Sequence, residues 1–125
     1  MFELAINGIV YQFKFGIGFV REINKKGAKV PVKDAPGVTE DMGLILLVTK
    51  ILDGDVIALI DALEAANKRF DPRVTRKTLE DYIDDKDTDI DELFETVKDF
   101  LERANATRNT MKKMMGALEM ETSEE

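Results

Sequence analysis

The stretch INGIVYQFKFGIGFVREI, residues 6–23, decides how this chain begins to fold. Asn7-Gly8 is a two-residue hairpin signal, because both residues accept the positive φ of a type I′ turn. A turn there pairs Ile6 with Ile9, Leu4 with Tyr11 and Phe2 with Phe13. These six side chains then share one face, continued by Phe15, while Glu3, Gln12 and Lys14 share the other. Turn register and apolar alternation agree, and a slip of one residue would turn the whole apolar set toward water. A lone hairpin is marginal in water, so its aromatic face needs a helix against it. Ile17, Phe19, Val20 and Ile23 predict that helix over 17–26, with Gly27 ending it.

Gly16 and Gly18 occupy the first two positions of G-x-G-x-x-G, but the third is Arg21. The strand before them belongs to a hairpin, and no βαβ unit follows, so the context of a dinucleotide site is missing. The two glycines are expected instead to let the chain turn from strand to helix with the helix backbone close to the sheet.

Downstream, residues 28–38 (AKVPVKDAPGV) lie in a long connection turned at Pro36-Gly37. Such connections are functional, mobile, or conceal a short strand pair. Thr39, Glu40 and Asp41 read as an N-cap and acidic first turn for a helix over 42–52. That helix, MGLILLVTKIL, is apolar on all sides and is expected at the core centre. Gly54 then stops it and Asp55 caps the next, whose stripe is Val56, Leu59, Ile60, Leu63 and Phe70, closed by Asp71-Pro72. Thr75 caps a short helix with Val74 and Leu79 as a staple and Leu79, Tyr82 and Ile83 as its buried side.

A last long helix starts near Asp89, with Glu92 completing a capping box. Ile90, Phe94, Val97, Leu101, Ala104, Arg108, Met111, Met115 and Leu118 form a heptad seam, widened by Leu93, Phe100 and Met114. The run NATRNT, 105–110, has poor helix propensity and marks fraying or a hinge. METSEE, 120–125, reads as a solvated tail. The expected fold is mainly α with a small N-terminal antiparallel β-hairpin (α+β). A compact helical domain over 1–103 ends in a long C-terminal helix, with 104–125 as a helical extension and acidic tail.

Composition narrows the function. At 125 residues, 44% apolar and 34% charged, this is the balance of one soluble globular domain. The absence of cysteine removes disulfides and thiolate ligands and fits an intracellular protein. The absence of histidine removes the usual general base and transition-metal ligand, so no enzyme is expected. No basic leader precedes the first strand pattern, and the longest apolar run is far short of the roughly 18 residues of a membrane span. Residues 1–50 hold seven Lys/Arg against five Asp/Glu, and 51–125 hold eleven against twenty, which together give −7. A net-acidic chain without a basic stripe is not expected to bind nucleic acid.

Asp85, Asp87 and Asp89 have calcium-loop spacing. Counted from Asp85, however, the sixth position is Ile90 rather than Gly and the twelfth is Thr96 rather than Glu, so the loop cannot wrap the ion. No metal, cofactor or catalytic residue is expected, and the acidic run reads as a helix–helix turn. The seam residues Phe94, Val97, Leu101, Met111, Met114, Met115 and Leu118 are the candidate partner or oligomer contacts. Methionine-rich surfaces adapt to imperfect partners. Folding back onto the core and disorder are the competing readings for the methionine segment.

The pieces FELAINGIVYQFKFGIGFVREINKK (2–26), MGLILLVTKILDGDVIALIDAL (42–63), TLEDYIDD (78–85) and DIDELFETVKDFLE (89–102) resemble the tail assembly chaperones of long, flexible-tailed phages of Gram-positive hosts. The resemblance covers roughly 2–103 and leaves the 28–38 loop and the methionine-rich end unmatched. It implies a non-enzymatic protein of the host cytoplasm that coats the tape measure protein and keeps it soluble. Tail tube protein then displaces it, recruited in many cases by a longer frameshifted form, and the finished virion lacks it. Self-association into rings or spirals along an extended client is the expected assembly. The alternative is a structural or adaptor protein retained in the particle.

Overall fold

The computed structural model describes residues 1–123. Asn7 and Gly8 adopt φ of 53° and 79°, and the hairpin of β1 (Phe2–Ile6) and β2 (Ile9–Phe13) pairs in the register that the turn requires. Its aromatic face is covered by α1 (Ile17–Lys26) and by Phe100 of α5 (Ile90–Arg103). Phe2 stacks on Phe13 with ring centroids 5.1 Å apart and lies 5.3 Å from Phe100, while Phe15 meets Phe19 edge-on at 5.1 Å. Ile9, beside the turn, is exposed.

The hairpin is tied to the helices through α3 (Val56–Asn67). Lys14 N–H donates to the Ala66 carbonyl at 3.0 Å. Fully buried Asn67 donates through Nδ2 to the carbonyls of Gln12 (3.0 Å) and Pro72 (3.2 Å), and its Oδ1 accepts from Val74 N–H at 2.7 Å. One amide thus joins the second strand, the end of α3 and the segment leading into α4 (Arg76–Asp84). A buried amide is tolerated because its bonding capacity is used.

The loop 28–38 conceals a strand pair: β3 (Lys29–Pro31) and β4 (Thr39–Asp41) run antiparallel. Thr39, Glu40 and Asp41 are therefore strand residues, and no side chain at Met42 caps α2 (Gly43–Leu52). A residue distant in sequence takes over: Asn24 Oδ1, on α1, accepts from Leu44 N–H at 3.1 Å. The close backbone approach expected at Gly16 and Gly18 occurs elsewhere. Neither residue has positive φ, and Gly18 faces the Arg69 side chain. It is Gly27 and Gly43 that touch: a Cβ on Gly27 would lie 2.4 Å from Gly43 Cα, and one on Gly43 would lie 2.5 Å from the Ile23 carbonyl oxygen.

The other helix signals hold locally. Gly54 turns at φ 82° after α2, and Asp55 accepts from Ile57 and Ala58 N–H. Thr75 accepts from Thr78 N–H at 3.1 Å and Asp89 from Glu92 N–H at 3.0 Å. Leu47, Val48, Ile51, Leu59, Leu63, Leu79, Val97 and Leu101 form the centre of the core. Three expected core residues are exposed instead: Ile17, Leu46 and Val56. The α3 stripe also includes Ala58, Ala62, Ala65 and Ala66, small enough to bring neighbouring helices close, and the helix stops at Asn67, before Phe70.

The seam beyond Asp89 does not form one helix. Ala104 leaves α5 with extended backbone, and α6 (Arg108–Ser123) follows. Buried Thr107 makes the corner, its hydroxyl donating to the Leu101 carbonyl at 2.7 Å and its own carbonyl accepting from Met111 N–H at 3.0 Å. The helix then packs against α2 and α5. Of the tail 120–125, positions 120–123 are helical, and 124–125 lie outside the described residues.

Glu22 is the buried charge of α1, with 8% of its side chain exposed. Its carboxylate accepts from Lys68 Nζ at 2.6 Å and lies 3.4 Å from Lys25 Nζ. The Lys68 hydrogen bond, opposed by desolvation and aided by Lys25, holds the carboxyl below its ordinary pKa. A carboxylate with a depressed folded-state pKa stabilises the fold in full above its unfolded pKa, and that contribution is lost as pH falls through the folded value. Glu22→Gln is expected to lower the melting temperature at pH 7 and to flatten the decline below about pH 4.5. Parallel pH–stability curves for the two proteins would overturn this account.

The glycine contact makes a second expectation. Gly43→Ala must push apart α1 and α2 and should cost about 2 kcal/mol or more, in the range of overpacked cores. A Cβ at Gly116, in α6, would meet nothing within 4 Å, so Gly116→Ala should stabilise by about 0.5–1 kcal/mol. Urea melts of both variants check the opposite signs.

Candidate functional site

The fold distributes the seven seam residues unequally. Phe94, Val97, Leu101 and Met111 are buried within the chain. Met114 and Met115 are half-buried against the same core, and Thr49 Oγ1 lies 3.5 Å from Met114 Sδ. Leu118 is exposed. The start of α6 therefore folds back, and its apolar side is completed by α2 and α5 rather than left open. Met111 is fixed by Thr107, which no periodicity in the sequence singled out.

A different surface gathers apolar side chains in the open. Between the hairpin's open end and the corner after α5 runs a groove of about 560 Å³, lined by Phe15, Ile17, Phe100, Ala104 and Ala106, with Lys14 and Arg103 at its edge. Ile17 is 59% exposed there. Arg103 lies over the Phe100 ring, 4.9 Å from its centroid, and pairs with Asp99 at 2.7 Å. Arg21 follows Ile17 by one helical turn, and the Arg69 guanidinium lies against Gly18. Two cations, Lys14 and Arg103, thus edge an apolar groove in a chain of net charge −7, with Asp99 as the acidic partner of Arg103. Part of this was legible. At 100° per residue Ile17 sits roughly 120° around the helix from Ile23, alongside Arg21 rather than on the core face. Arg69 comes from the turn after α3 and Arg103 from the end of α5, which no local pattern reveals.

At the opposite end of the hairpin a second groove, of about 690 Å³, is walled by Asp81, Asp85, Asp87, Asp89 and Glu92 beside Asn7. Asp85 there accepts from Asp87 N–H, the geometry of a helix–helix turn. Among the described residues no group of three or more His, Cys, Asp or Glu is placed to hold a metal ion. No helix among them is long and apolar enough to cross a membrane.

This architecture, a short hairpin on a helical core with a folded-back last helix, coincides with a family match: the model described as phage tail assembly chaperone protein, TAC, covers residues 3–115. The chain belongs to that family. The match runs past Arg103 into α6 and so spans Thr107 and Met111. No curated protein and no solved structure matches the chain.

If the start of α6 is core, Met111→Ala should destabilise the whole chain by about 2–4 kcal/mol, the range for emptying a buried site of this size. A single cooperative chemical melt shifted to lower denaturant is the expected result, and an unchanged midpoint would refute it.

Proposed function

We propose that this tail assembly chaperone is a non-enzymatic protein that binds the phage tape measure protein in the host cytoplasm and keeps it soluble until tail tube protein assembles around it. The family match over residues 3–115 carries the proposal. The surface chemistry supports it: a tape measure is a long run of amphipathic helix, and apolar grooves with charged edges suit helix-in-groove recognition. Each contact is small, so strength along such a client comes from many copies acting together, as rings or spirals. A longer frameshifted form of the chaperone would recruit tube protein.

Co-expression with the tape measure protein of the same genome is the test. The client should move from the insoluble to the soluble fraction and co-purify with several copies of the chaperone. Particles purified from infected cells should lack the chaperone. An insoluble client, or stoichiometric chaperone in the particles, would replace this proposal with that of a structural or adaptor component.

A further inference from the structure

We propose that the outer edge of β1 receives an extended, lysine- or arginine-rich peptide of a partner protein as a third strand. The hairpin has two edges, and one is taken. Because Ile6 and Ile9 flank the two-residue turn, Ile6, Leu4 and Phe2 exchange main-chain bonds with β2, and the residues between them turn theirs outward. On the β2 side α3 satisfies the outward groups: Lys14 N–H donates to the Ala66 carbonyl, and the Gln12 carbonyl accepts from Asn67. On β1 the outward groups belong to Glu3 and Ala5, both exposed. Among the described residues nothing bonds to them. An open edge of this kind is a template for strand addition.

The edge opens into a cleft. The acidic groove beside Asn7 continues along β1 into a second hollow of about 290 Å³, the two sharing Tyr82, Asp89 and Glu92. Leu4, Tyr82 and Leu93 line this hollow, a surface on which side chains from one face of an added strand can rest. The walls fix the charge of the occupant. Among the described residues Glu3, Asp85, Asp87, Asp89 and Glu92 form no ion pair, whereas Asp81 pairs with Lys77 at 2.9 Å. An acidic peptide is repelled there, and a basic one meets opposite charge beside a free backbone. Main-chain bonds supply the attachment and the carboxylates supply the selectivity. The inference goes beyond the chaperone reading, and its test needs no tape measure protein.

Fluorescence anisotropy of a labelled seven-residue peptide alternating lysine and valine, added to the full chain, tests it. The same peptide with glutamate in place of lysine is the control. The basic peptide should bind saturably, and more weakly in high salt, where exposed charges are screened. The acidic peptide should not bind. Ala5→Pro removes one outward N–H and leaves the bonds between β1 and β2 intact, since proline is tolerated where a strand's N–H faces solvent. Asp87→Asn combined with Glu92→Gln removes two wall charges. Each of these variants should bind at least fivefold more weakly, with circular dichroism melts verifying that it folds. Hydrogen exchange by NMR on the unaltered chain supplies the strand signature. The Glu3 and Ala5 amides should exchange quickly in the free chain and at least tenfold more slowly with peptide bound, while the Leu4 amide is slow already. No saturable binding, equal binding of the acidic peptide, or unprotected Glu3 and Ala5 amides in the complex would each overturn the inference. Undiminished binding to folded Ala5→Pro would reduce the contact to charge attraction and overturn it as well. Any of these results with a soluble, co-purifying tape measure protein would leave the chaperone proposal standing.

Discussion

Two glycines hold the architecture in place. Where α1 ends and α2 begins, Gly27 and Gly43 bring their backbones so close that a Cβ on either would overlap main-chain atoms of the other helix. That proximity lets Asn24 Oδ1 of α1 accept from Leu44 N–H at the start of α2, a bond that replaces the missing local cap. It also sets where α2 lies, and the rest of the core is arranged around α2. Leu44, Leu47, Val48 and Ile51 are buried on this helix, and α1, α3, α5 and α6 all pack against it. The intervening 28–41 segment then has one short span to bridge, and it does so as a strand pair closed by Val38 N–H donating to Ala35 and Val32 N–H to Val38.

What was legible in the sequence was what is local. The hairpin register follows from a two-residue turn and strict alternation. The caps at Asp55, Thr75 and Asp89 follow from side chains that reach backbone two or three residues ahead. What escaped is long-range. Thr39 to Asp41 have the composition of a cap, yet strand pairing with Lys29 to Pro31, eight to twelve positions earlier, claimed their backbone. Glu22, Asn67 and Thr107 read as ordinary polar residues, and only the folded chain shows each buried and bonded, Glu22 to a lysine 46 positions away and Asn67 to a strand 55 positions away. Periodicity speaks of faces, and says nothing about which partner a buried polar group will find.

The heptad seam shows how one pattern can have two structural outcomes. An apolar repeat at spacings of three and four is equally satisfied by a helix seeking another chain and by two helices packed within one chain. The break at 104–107, where the poor helix formers of the 105–110 run begin, decides between them here. Thr107 uses its side chain to occupy the Leu101 carbonyl, which relieves the end of α5, and its backbone begins α6. The residues that periodicity marked for a partner become mostly interior, and the surface that presents apolar atoms to the outside is the groove at the hairpin's open end. Its members come from three separate stretches, residue 1, residues 14–17 and residues 100–106, which is why it has no signature in any one of them.

The hairpin also separates charge. Its turn end adjoins five carboxylates, and its open end adjoins Lys14 and Arg103. A strand of five residues spans only about 17 Å. Over that distance the neighbouring side-chain charge goes from strongly negative to locally positive, so the hairpin contributes an electric dipole along its strands in addition to the net negative charge. Any charged body drifting near would be rotated before it touches, and the frequency of well-oriented encounters would fall as ionic strength rises.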